Sequence, residues 1–180
     1  MMIIVGRTGS GKDHFASLLM QRGMKIVKPC TTRPQGTPDE KSHIFVTPEE
    51  SAKTADKVIK TEINGYEYFV TSRQVNEADV CITDPDGLYQ LTGNMPEKDF
   101  NLIYVYAADD EERRKRVDAK TDASENAQFE AFEDIVLYPG AVSNGELPAN
   151  IRQIFIVPYS YEQEDAERFV DRHVPKEGIR

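Results

Sequence analysis

Residues 6–13 read GRTGSGKD and open a stretch that continues HFASLLMQ. Seven of these eight positions fit the phosphate-loop pattern G-x-x-x-x-G-K-[ST]. Gly6, Gly9 and Gly11 let the backbone turn tightly, so that the N–H groups of Arg7, Thr8 and Ser10 and of the glycines can face a phosphate. Lys12 adds a positive charge, and a helix starting at Lys12 points its positive end at the same place. The pattern needs a strand before it and a helix after it. MIIV at 2–5 and the run from Lys12 to Gln21 supply both.

The eighth position departs. Asp13 stands where Ser or Thr holds a magnesium ion. One reading is a helix N-terminal acid favoured by the dipole. The other is a hard oxygen ligand that reaches Mg²⁺ as the hydroxyl does, with the metal screening its charge from ATP phosphates. The second is the expectation taken forward, with Asp13 and Asp84 as the metal-holding pair.

Other residues are spaced for phosphate work. Arg33 lies in the Pro-, Gly- and Thr-rich loop 28–42, where a guanidinium can grip a phosphate with two hydrogen bonds. Asp84 ends the apolar run DVCIT, a position suited to a carboxylate near a metal. Asp84-Pro85-Asp86-Gly87 also reads as a turn and helix cap. Arg113 and Arg116 sit one turn apart in DDEERRKRVDA, where Glu111 or Glu112 could equally pair with them.

The order of PCTTRPQGTPDE, HIFV, GYEYFVTS and VCITDPDG after the glycine loop resembles the guanylate kinase family of nucleoside monophosphate kinases. The resemblance covers roughly residues 1–118. It implies an ATP-dependent phosphotransferase using Mg²⁺, with GMP or dGMP as the first acceptor to consider. It implies that Thr32, Arg33 and Tyr68 hold the acceptor phosphate, that Asp84 and Asp86 form the D-x-D pair, and that Lys12, Arg116 and Arg113 stabilise the transferring phosphoryl group. His43 stands where the family has a tyrosine, and Glu62 is the acid nearest the guanine-reading position. Pro29 and Cys30 replace the serine before TTR, and Gly36 or a neighbour replaces the second acceptor arginine. The Arg-Gly dipeptide of the lid and its second arginine are missing. The donor side is thus kept while the base-reading side has drifted.

These residues need an α/β scaffold. MIIV (2–5), MKIV (24–27), DVCIT (79–83), LIYVYA (102–107) and IRQIFIV (151–157) read as buried strands of a parallel sheet, alternating with helices at 12–21, 109–119 and 161–173. HIFV (43–46) and VIKTEINGYEYFV (58–70) alternate apolar and polar residues, and Asn64-Gly65 signals a hairpin. The expectation is one P-loop NTPase-type domain, with a core of 1–30 and 78–180. A small antiparallel acceptor-binding subdomain is inserted at 31–77, and a short lid lies at 118–128. Within 120–150, TDASENAQ and YPGAVSNGELPAN read as loops.

The totals set limits. The chain of 180 residues fits one domain with its own core. A net charge of −9 without a basic segment argues against a duplex nucleic-acid surface. MMIIV is too short for a signal sequence or a membrane span, so the cytoplasm is expected and no membrane partner. Cys30 and Cys81 are expected as free buried thiols. The partners expected are ATP and a nucleoside monophosphate, with the chain a monomer or homodimer. Three alternatives stay open: a kinase of another small phosphorylated acceptor, a non-catalytic protein-binding module, and a nucleotide switch.

Overall fold

The computed structural model describes residues 1–137, 144–159 and 163–173. In chain order the elements are β1 (Met2–Val5), α1 (Lys12–Gln21), β2 (Cys30–Thr31), β3 (Ile44–Phe45) and α2 (Pro48–Lys53). Next come β4 (Lys57–Ile63), β5 (Tyr66–Thr71), α3 (Ser72–Glu77), β6 (Val80–Thr83) and α4 (Pro85–Asn94). The chain continues with β7 (Phe100–Ala107), α5 (Asp110–Arg114), α6 (Ala119–Val136), β8 (Ile151–Tyr159) and α7 (Gln163–His173).

Four of the strands form a parallel sheet in the order β6-β1-β7-β8. Its strands are apolar on both faces because helices cover both. Ile3, Val5, Leu102 and Tyr104 pack on one side with Leu88 and Leu91 of α4 and Phe129, Phe132 and Val136 of α6. Ile4, Ile103 and Val105 face the other way, against Phe15 and Leu19 of α1 and Ala166 and Val170 of α7. Since all four strands run the same way, their carboxyl ends gather at one edge. That edge carries the glycine loop after Val5, Asp84 after Thr83 and Asp109 after Ala107.

A second sheet, ordered β3-β2-β5-β4, is built from the inserted region. The hairpin turns at Asn64 (φ 53°) and Gly65 (φ 78°), the left-handed pair a two-residue loop requires. The sheet is mixed rather than purely antiparallel, because β2 pairs with β3 in parallel.

Three local expectations change. MKIV at 24–27 forms only an isolated bridge, Ile26 to Val80, because the chain leaves this edge before Pro29 and joins the second sheet at Cys30. The charged helix expected over 109–119 stops at Arg114, and Asp118 caps a new helix by accepting the Thr121 amide at 2.9 Å. TDASENAQ is helical rather than loop, since tertiary contacts of α6 outweigh the weak propensity of its Thr, Asp, Ser and Asn residues. The 118–128 stretch is therefore the cap and first half of α6. Of YPGAVSNGELPAN, residues 138–143 lie outside the described residues. The rest turns at Gly145, and the Asn150 amide donates to the carbonyls of Thr92, Met95 and Lys98. Residues 161 and 162 of the expected last helix also lie outside the described residues. Cys30 and Cys81 are both buried free thiols, and burial pushes the Cys81 pKa up to about 12. Among the described residues no helix is long and apolar enough to cross a membrane.

Candidate functional site

The glycine loop is packed too tightly for side chains. A Cβ on Gly6 would lie 2.4 Å from the Val105 carbonyl oxygen. Gly11 caps α1 at φ 91°, and a Cβ there would meet the Tyr159 ring at 2.1 Å. No side chain caps α1, so its first-turn amides keep their capacity for an anion. Lys12 Nζ lies over the loop and donates to the Arg7 carbonyl at 3.4 Å. Ser10 is fully buried, and its hydroxyl has no hydrogen-bond partner. Asp13 is exposed in the first turn of α1.

α6 grips this loop from above. Glu125 accepts from the Thr8 amide at 3.0 Å and from its hydroxyl at 2.5 Å. The Arg7 guanidinium donates twice to Glu133, at 3.0 and 2.8 Å, and to Asn126 at 2.6 Å, with the Phe129 ring 5.6 Å away. Tyr104 also donates to Glu133. Burial works to raise the Glu133 pKa, but the hydrogen bonds from Arg7 and Tyr104 outweigh it and leave the carboxyl below its ordinary range. Burial is also the main reason the Tyr104 hydroxyl titrates far above an ordinary phenol.

Arg113 and Arg116 diverge. Arg113 is 1% exposed, and its donors are spent on Asp110 (2.6 Å), Asp122 (2.6 Å) and the Thr8 carbonyl (3.3 Å). Through the Thr8 carbonyl it braces the glycine loop. Arg116 is half exposed beyond the end of α5 and donates to Glu112 at 3.4 Å.

Around the second sheet the fold brings Arg33, His43 and Tyr68 together. The Tyr68 and His43 rings are edge-on at 5.5 Å. Arg33 lies 5.4 Å from the Phe45 ring centroid and pairs with Glu40 at 2.5 Å. Glu40 first, and Tyr68 after it, stabilise the charged guanidinium. Arg33 and the Gly36 amide in turn hold the Glu40 carboxyl down to about 2. Desolvation, then the charge of Arg33, lowers the His43 pKa.

Two expected acceptor residues point elsewhere. The Thr32 hydroxyl accepts the Glu67 amide at 2.9 Å and so extends the pairing of β2 with β5. Glu62 pairs across the hairpin with Glu67, on the face opposite Thr61 and Tyr68, because side chains alternate along a strand. Asp86 is exposed in the first turn of α4.

Asp84 joins the two sides. It follows Thr83, the sheet partner of Val5, so it neighbours the start of the glycine loop. It also lines a groove of about 250 Å³ with His43 and Tyr68. One of its oxygens accepts the Gly87 amide at 2.7 Å. A Cβ on Gly87 would fall 1.9 Å from the Thr83 hydroxyl oxygen, so any larger residue there would displace the Thr83 side chain. Desolvation by the surrounding protein raises the Asp84 pKa, and the charges of Asp86 and Glu125 raise it further. A cation would relieve that repulsion. Among the described residues no three His, Cys, Asp or Glu side chains are grouped to hold a metal by themselves. Mg²⁺ takes one or two carboxylates together with substrate phosphates and water, and Asp13 and Asp84 fit that chemistry. A larger cavity of about 360 Å³ lies behind the loop, but the Arg7, Arg113, Asp110 and Glu133 side chains that line it already pair with one another or with neighbouring groups.

Sequence reasoning missed Glu40 and the α6 set of Asp122, Glu125, Asn126 and Glu133. The spacing of Phe129, Phe132 and Val136 is the signal that would have revealed that helix.

No family model matches the sequence, and no curated protein matches it. Among solved structures, the chain is similar to guanylate kinase from Anaplasma phagocytophilum, with a TM-score of 0.52 and 17% sequence identity. The match covers 96% of this chain and 81% of that one. At that identity the likeness is one of fold, and the chain has a guanylate kinase-like fold.

Proposed function

We infer that the protein transfers a phosphoryl group from ATP to a nucleoside monophosphate. One juxtaposition supports the reading above all. Asp84 neighbours the glycine loop through the β1–β6 pairing and also lines the groove beside His43, Tyr68 and the adjacent Arg33. A donor phosphate on the loop and an acceptor phosphate at the arginine cluster would then meet at one carboxylate. The guanylate kinase-like fold is consistent with this.

In this reading residues 6–13 hold the ATP phosphates, through the loop amides and Lys12. Arg33 and Tyr68 orient the acceptor phosphate, His43 stands beside them, and Arg116 approaches from just beyond the end of α5. Asp13 and Asp84 are the residues that would hold Mg²⁺, which when bound neutralises charge on the phosphates. The protein's task is positioning and charge neutralisation, with no covalent intermediate. Residues 31–77 carry the acceptor within a single kinase domain of core 1–30 and 78–180. The 118–128 part of α6 covers the loop and excludes water from it.

Turnover tests this directly. ADP release with ATP and Mg²⁺ is measured against GMP, dGMP, AMP, dCMP, dUMP and dTMP, with Lys12→Ala as control. Acceptor-dependent release that the control abolishes supports the reading. ATP binding with no stimulation by any of the acceptors overturns it in favour of another acceptor or a switch.

A further inference from the structure

Given a nucleotide acceptor, the lining of the groove beside Asp84 bears on which base it takes. The hairpin register puts Ile59 opposite Val70, Thr61 opposite Tyr68 and Ile63 opposite Tyr66. Directly opposed residues share a sheet face. Ile59, Thr61, Ile63, Tyr68 and Val70 accordingly line the groove together. Lys60, Glu62 and Glu67 fall on the other face, where Glu67 is held by Lys57 and Lys60. Phe69, which the register places opposite Lys60, also borders the groove, and Pro29, Ile82 and Thr83 complete the walls.

The wall contributed by the second sheet therefore contains no carboxylate and no amide side chain. Its polar groups, apart from His43 and Tyr68 at the phosphate cluster, reduce to the Thr61 hydroxyl, with Thr83 across from it on β6. The one acid in the groove, Asp84, has an oxygen committed to the Gly87 amide and stands next to the glycine loop.

Guanine presents an N–H and an adjacent NH₂ on one edge. The isoleucine and valine walls offer them no carboxylate, which would accept from both at once, and a donor left unmet is costly. Hydroxyls donate or accept as needed, so a pair of them matches a base whose edge mixes two carbonyls and one N–H. A methyl group on such a base adds apolar contact with isoleucine and valine walls.

We propose that this groove reads a 5-methylpyrimidine, so that the acceptor is thymidine monophosphate rather than a guanine nucleotide. Ile59, Ile63 and Val70 discriminate by contact with the methyl group, and Thr61 and Thr83 by hydrogen bonds to the ring. The proposal rests on the nucleoside monophosphate reading above, but it can be separated from it, because base binding is measured without turnover.

The experiment uses the full chain. Calorimetric binding of dTMP, dUMP and dGMP is measured with a non-hydrolysable ATP analogue and Mg²⁺ present, and kcat/KM is measured for each with ATP. The expected order is dTMP first, with dUMP weaker by about tenfold for the missing methyl and dGMP weaker by at least about tenfold. Thr61→Glu, at an exposed position that tolerates the change, is expected to move the dGMP/dTMP ratio by about tenfold or more toward dGMP. ATP-analogue affinity serves as the check that the variant is folded. Preferred binding of dGMP, or no binding of dTMP, overturns the proposal. An unchanged ratio in folded Thr61→Glu overturns the role of that wall. Tight dTMP binding without turnover upholds the proposal and sinks the kinase reading instead, whereas preferred turnover of dGMP does the reverse.

Discussion

Glu125 of α6 accepts both the amide and the hydroxyl of Thr8, so one carboxylate fixes the rising limb of the glycine loop. With Arg7 held by Glu133 and Asn126, α6 is joined to the loop at Arg7 and Thr8, and it reaches Thr8 again through Arg113, which bonds both Asp122 and the Thr8 carbonyl. Glu125→Ala removes a charge-assisted acceptor and is expected to cost about 1.5–3 kcal/mol. Chemical denaturation measures the loss. The KM for ATP should rise with it, and Glu125→Gln should recover part of both.

Glu133 is the most heavily bonded acid of this set. Its removal strands Arg7 in a half-buried site, so Glu133→Ala should cost about 3 kcal/mol. Arg7→Ala combined with it should cost less than the two single losses summed, since the residues share one interaction. The pH dependence follows from the lowered native pKa of Glu133. A group whose pKa is lower folded than unfolded adds stability above the unfolded value, and that stability is lost as pH falls through the folded one. Wild type should therefore lose more stability on acidification than Glu133→Gln, as acid titrations of thermal unfolding would register.

Gly11→Ala should cripple the loop for two separable reasons. A residue with a side chain resists φ 91°, at about 1–3 kcal/mol. Its Cβ would also collide with the Tyr159 ring. Trimming the ring in Gly11→Ala/Tyr159→Ala should relieve the collision but not the backbone strain. Melting temperatures of the single and double variants measure the two parts.

Glu40 neutralises Arg33 in the free protein. Since the Glu40 pKa is held down to about 2, the pair stays intact above the ordinary carboxylate range and breaks only as pH falls toward that value. The ¹³C carboxyl shift of Glu40 should titrate there. At neutral pH Glu40→Gln frees the guanidinium, and the KM for the acceptor should fall by about three- to tenfold. An unchanged KM would mean that Arg33 does not meet the acceptor phosphate.

Much of the fold was legible because its strongest signals are local. The glycine loop stands between an apolar strand and an amphipathic helix, and Asn64-Gly65 marks its hairpin without help from the rest of the chain. Arg33, His43 and Tyr68 were legible as members of one cluster only through the resemblance, since they come from three separate stretches. α6 was misread for the opposite reason. Its first half is rich in residues that favour caps and turns, and it is helical because of partners more than a hundred residues away, such as Thr8 for Glu125. The face of Glu62 is not legible either, because it is set by the register opposite Glu67 and not by proximity in sequence. The burial of Arg113 is not legible, because nothing in a charged helix distinguishes the arginine that turns inward.

The central claim is that the glycine loop and the groove at Asp84 serve one transfer between two phosphates. ³¹P NMR of ATP, Mg²⁺ and dTMP with the protein observes that transfer as it happens, with dGMP, AMP and dCMP in parallel. The account predicts that ATP γ-phosphorus signal is replaced by the β-phosphorus of a new nucleoside diphosphate for at least one acceptor. Lys12→Ala and Arg33→Ala should each suppress the change. ATP that is stable with every acceptor, or hydrolysed to inorganic phosphate at a rate indifferent to Arg33, would contradict it.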